Sequence, residues 1–141
     1  LAAKTLGGKV VKDDRYRETG TFEVMATEVA KKDPIFSALP KYFFAQLGHK
    51  DSIETLPAGA TLLARSERCP TQAFNFPGKK FYAIQFHPEL NKEDVILRVN
   101  YYAGYAKDRA DIDRIISGLQ DSPAAAKFLR LFIERVVLGS F

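Results

Sequence analysis

The stretch Phe81-Tyr-Ala-Ile-Gln-Phe-His-Pro-Glu-Leu90 constrains the fold more than any other. Its first six residues are apolar except for Gln85, so they read as a strand covered on both faces, of the kind that fills an α/β sheet. The run then stops on His87-Pro88-Glu89. Pro88 disfavours helical backbone at His87 and fixes its own φ. On an extended segment, side chains two apart point the same way. His87 and Glu89 are therefore expected side by side at a strand end, where α/β sheets bind ligands.

The flanking pattern agrees with such a sheet. Near-alternation over 21–29 sets Thr21, Glu23 and Thr27 opposite Phe22, Val24 and Ala26, which predicts a half-buried strand. Segments 9–11, 42–47, 61–66, 71–76 and 80–86 also read as extended, and Pro77-Gly78 makes a tight turn between the last two. A short helical turn is expected over 35–39. Helices are expected over 94–107 and 111–119, and a last one begins at Ser122-Pro123 with a capping residue and a proline at its first position. No repeat or linker interrupts the chain. Strands occupy the middle of a single α/β unit and helices both ends.

Composition narrows the function classes. The chain has 141 residues, 46% hydrophobic and 27% charged, which suits one globular domain with a real core. No apolar run approaches the roughly 18 residues of a membrane span, so no membrane partner is expected. The net charge of +4 is spread among acids, so no nucleic-acid partner is expected either. A single cysteine, Cys69, excludes an internal disulfide and fits a reducing cytoplasm.

The His87/Glu89 pair carries the chemistry. A carboxylate that accepts from one ring nitrogen sets the tautomer and steadies the imidazolium, leaving the other nitrogen to serve a nucleophile. The residues alone leave a second reading open, a satisfied histidine at a strand end. His49 is the only other histidine and no Cys/His cluster has ligand spacing, so neither a metal nor a cofactor is expected. Cys69 is a poor nucleophile. Pro70 follows it and has no N–H to lend to an oxyanion hole, and no strand-to-helix elbow frames it. The opening Leu1-Ala-Ala-Lys-Thr-Leu-Gly-Gly8 reads as the tail of a helix, stopped by glycines, with no capping residue before it.

Several collinear stretches resemble the later two-thirds of a class I glutamine amidotransferase domain. They are Leu6-Gly-Gly-Lys-Val10, Asp33-Pro-Ile-Phe36, Gly48-His-Lys-Asp51, Leu56-Pro-Ala-Gly-Ala60, Cys69-Pro-Thr-Gln-Ala-Phe74 and Gln85-Phe-His-Pro-Glu89. The last matches the family's triad His-x-Glu. The resemblance runs from Leu1 to about Leu90. It implies a three-layer, flavodoxin-like α/β sheet, with residues 1–141 as the C-terminal portion of one such domain, incomplete at its N-terminus. It also implies glutamine as the substrate, His87 as acid and base, Glu89 as its orienter, and the turn of Gly48, His49, Lys50 and Asp51 as the loop that grips glutamine through its main chain. The family's nucleophile is a cysteine on an elbow just before a helix like LAAKTLGG. The resemblance therefore implies a missing N-terminal segment as a partner, an inactive chain by itself, and room for a synthetase or acceptor subunit. Two rival functions stay open, a γ-glutamyl hydrolase of the same architecture and a non-catalytic binding or regulatory domain. The ending after His-Pro-Glu, with no synthetase domain following, is similar to the GMP-synthase-like amidotransferases.

Overall fold

Val24, Ala26 and the partly buried Phe22 lie on one face of a single strand, and that face builds the main core. The strand expected over 21–29 runs instead over Glu18–Ala26 (β2), ahead of a short helical turn at Val29–Lys32, in a computed structural model that describes residues 1–102 and 104–139. The other strands are β1 (Lys9–Lys12), β3 (Tyr42–His49), β4 (Asp51–Thr55), β5 (Thr61–Ser66), β6 (Ala73–Asn75) and β7 (Tyr82–Ile84). Five of them form one sheet in the order β3-β2-β5-β6-β7, with every pair antiparallel. β1 and β4 form a separate antiparallel pair.

The apolar run after Lys80 lacks alternation because its two faces feed two different cores. Tyr82 and Ile84 pack on the main cluster, whereas Phe81 and Ala83 pack on a second cluster around Phe74 and Ile53. Both faces are covered, as expected, but in an antiparallel hairpin rather than deep inside the sheet. Regular pairing is confined to Tyr82–Ile84. Beyond it the chain bends back onto β3: Phe86 bridges Leu47, and the His87 N–H donates to the Gln46 carbonyl at 2.8 Å. The sheet thus curls until its last strand leans on its first. Phe86 locks this closure, with its ring edge-on to Phe43 at 5.9 Å and to Phe128 at 5.5 Å.

The largest departures from the sequence expectation are an extra strand and a shortened helix. β4 was not expected, because Asp51, Glu54 and Thr55 face solvent and leave no apolar rhythm. After the short opening helix α1 (Ala2–Thr5), the helix expected over 94–107 starts earlier and ends sooner, as α2 at Lys92–Tyr101. Asn91 caps it through a reciprocal box with Asp94, which defines the start. At Tyr102 the backbone turns extended, and Gly104 adopts φ +94°, which only glycine takes easily. Ala103, within the expected range, lies outside the described residues. A second helix, α3 (Arg109–Ser117), packs on α2 through Val95, Val99 and Ile115. The final helical stretch runs as Pro123–Ala126, Phe128–Leu131 and a wider turn over Phe132–Val137. No helix among the described residues is long and apolar enough to cross a membrane.

Candidate active site

The end of the β7 extension sets the position of His87. Its backbone is held by Gln46, and the Leu90 N–H donates back to the His87 carbonyl at 3.3 Å, closing a turn over Pro88 and Glu89. Pro88 is buried, so the turn is anchored rather than free. His87 Nδ1 lies 2.8 Å from Glu89 Oε1. The side chain of His87 is 30% exposed, and its Nε2 has no hydrogen-bond partner among the described residues. Glu89 is half exposed. Partial burial alone would push its carboxyl up. Its own backbone N–H, His87 and the charge of Arg98 together outweigh that and hold it below the usual carboxylate range. The pair is thus a carboxylate, an imidazole fixed on one nitrogen, and an open second nitrogen.

The ledge under His87 is itself fixed. Gln46 is fully buried. Its Oε1 accepts from Thr21 Oγ1 at 2.9 Å, and its Nε2 donates to the Gln120 carbonyl at 2.9 Å and to Ser122 Oγ at 3.3 Å. Gln46 was missed as a site residue. The signal was present, as a lone amide inside the apolar run Tyr42-Phe-Phe-Ala-Gln-Leu47.

The Gly48–Asp51 turn lies on the adjacent strand. Gly48 and His49 end β3, Lys50 makes the corner, and Asp51 opens β4. Gly48 is two residues beyond Gln46, a separation of about 7 Å along the strand. The turn therefore begins two residues beyond the one whose carbonyl holds the His87 backbone. The His49 ring does not point there. It turns inward, with Nε2 at 3.1 Å from Glu18 Oε2 and Nδ1 at 3.1 Å from the Asp51 carbonyl. Glu18, 1% exposed, is the hub of this interior network. It also accepts from Ser66 Oγ at 2.7 Å and Gln72 Nε2 at 2.6 Å. The ring of His49 thereby ties the 48–51 turn to β2.

Cys69 belongs to the same interior. It is fully buried, with Ser52 Oγ at 3.2 Å, the Thr71 carbonyl at 3.4 Å and Gln85 Nε2 at 3.4 Å from its sulfur. Burial pushes its thiol up, with Glu18 adding to the effect, against the lowering influence of its hydrogen bonds. One donor atom each from Glu18, His49 and Cys69 lies within 4.8 Å of the others. All three are already engaged by one another or by Ser66, Gln72 and Ser52, which makes the cluster a hydrogen-bonded hub.

Residues 1–95 match the family described as glutamine amidotransferase class-I. The chain belongs to that family. Among relatives, it is 36% identical over 90 residues to a glutamine-hydrolyzing GMP synthase subunit of Thermococcus kodakarensis, covering 64% of this chain and 46% of that protein. It is 34% identical over 127 residues to the glutamine-hydrolyzing GMP synthase of Lactobacillus delbrueckii subsp. bulgaricus, covering 86% of this chain and 24% of that protein. The fold is similar to that of a glutamine amidotransferase from Thermotoga maritima, with a TM-score of 0.73 at 23% identity, over 96% of this chain and 57% of that one. The chain thus has the α/β, flavodoxin-like class implied by the sequence, with a curled antiparallel sheet among its described residues. The chain spans less than half of the Thermococcus relative it matches.

Proposed function

We propose that this amidotransferase chain carries the acid–base half of a glutaminase site. Its cysteine nucleophile comes from a segment of the same domain outside residues 1–141. His87 Nε2 takes the proton of that thiol as the sulfur attacks the side-chain amide carbon of glutamine. The same nitrogen returns the proton to the departing amine, releasing ammonia and leaving a thioester. Water, deprotonated by His87, then clears the thioester to glutamate and regenerates the thiol. Glu89 holds the imidazole by Nδ1 and stabilises its charged form. The main chain of Gly48, His49, Lys50 and Asp51 binds the glutamine.

One observation carries this reading: a histidine clamped on one nitrogen by a carboxylate at 2.8 Å, with the other nitrogen open at a half-exposed surface. The buried Cys69 supports the external nucleophile, because its thiol is raised and committed to Ser52, Thr71 and Gln85. Residues 1–141 by themselves are then inactive. The Thermococcus relative is described as one subunit of a glutamine-hydrolyzing GMP synthase, which supports a synthetase partner that receives the ammonia.

The test is substrate profiling of the protein extended through its upstream segment. Ammonia released from free glutamine supports the proposal. Cleavage of γ-glutamyl peptides alone makes the protein a γ-glutamyl hydrolase. Activity on neither makes it a binding domain.

A further inference from the structure

The segment that follows the family match folds back over the gripping turn. The match ends at residue 95, and Arg98, Gly104 and Tyr105 lie beyond it. Tyr105 is rooted in the small core of α2 and α3, among Val95, Val99 and Ile115. Its ring lies directly on Gly48: a β-carbon at that glycine would come within 2.9 Å of Cε1 and 3.3 Å of the hydroxyl. Gly104 is equally close to the turn, since a β-carbon there would lie 2.6 Å from Lys50 Nζ. Arg17, one residue before the hub Glu18, pins the segment from below by donating Nη2 to the carbonyls of Gly104 at 3.2 Å and Tyr105 at 2.9 Å.

Arg98 holds the other end of the ring: its Nη1 donates to Tyr105 Oη at 3.1 Å. Arg17, Arg98 and the small helical core thus fix Tyr105 against Gly48. We infer that Tyr105 is a positioning residue of the glutamine site, which holds the main chain of the Gly48 turn in its binding arrangement. This rests on the glutaminase reading. Tyr105 is assigned no contact with the substrate. Tyr105 supports the main chain of the turn through its ring, and the Arg98 hydrogen bond holds the hydroxyl at the far end of that ring.

The ring contact makes a specific kinetic signature. In the protein extended through its upstream segment, Tyr105→Ala removes the ring from Gly48 and raises KM for glutamine by about tenfold, with a smaller change in kcat. Tyr105→Phe keeps the ring and restores the wild-type KM. Amide hydrogen exchange gives a readout that needs no turnover. Exchange at Gly48 and His49 accelerates in Tyr105→Ala and stays at the wild-type rate in Tyr105→Phe. Equal KM for both Tyr105 variants and wild type overturns the inference. A wild-type protein that releases no ammonia, with the exchange pattern as stated, instead overturns the glutaminase reading and leaves the clamp on the turn in place. Unchanged exchange in Tyr105→Ala overturns the clamp itself.

Discussion

Glu89 Oε1 stands 2.8 Å from His87 Nδ1, and the two residues share a turn that Gln46 holds from the adjacent strand. The carboxylate fixes which ring nitrogen faces outward. Glu89→Gln is predicted to leave the fold intact and lower kcat roughly 10²- to 10⁴-fold, because the amide no longer selects the tautomer or stabilises the imidazolium. Steady-state kinetics of the extended protein against free glutamine measure it.

The same carboxylate links stability to pH. Its folded-state value lies below the ordinary one, so it stabilises the fold above the ordinary carboxylate range. That contribution is lost as pH falls through the lowered folded-state value. Glu89→Gln should therefore flatten the acid end of the stability–pH curve, and only slightly, since the group is half exposed. Urea midpoints between neutral and acid pH read the difference between the two proteins.

Glu18 is the costliest polar residue to remove. It gathers His49, Ser66 and Gln72 in an interior where it is 1% exposed. Glu18→Ala removes the acceptor that His49, Ser66 and Gln72 share and breaks the buried carboxylate–imidazole contact, and the predicted loss is about 3–5 kcal/mol by urea unfolding. A loss no larger than that of a surface substitution would show that the hub is not formed.

Cys69 should behave as a buried structural thiol. Iodoacetamide should label it only on unfolding, and Cys69→Ala should leave turnover within about twofold while costing about 1 kcal/mol of stability. Rapid labelling of the folded protein, or a collapse of turnover, would make it the nucleophile.

What the sequence made legible follows from the range of each interaction. His87 and Glu89 meet because they are two residues apart across a proline, a local matter of backbone direction. The strand Glu18–Ala26 was legible from its alternation, although its start at Glu18 was not, since Glu18 and Thr19 are buried polar residues that read as loop. Glu18 reaches its partners His49 and Gln72 across 31 and 54 positions, and no local pattern encodes such a meeting. The same holds for Tyr105 on Gly48, where the visible clue was only a pair of glycines at 48 and 104.

Ammonia release from free glutamine, by the extended protein and its His87→Ala variant, tests the central claim most directly. The wild-type protein should turn over glutamine, and His87→Ala, with its fold retained, should lose roughly 10³-fold or more in kcat. Turnover by His87→Ala equal to wild type would contradict the assignment of this imidazole as the acid and base.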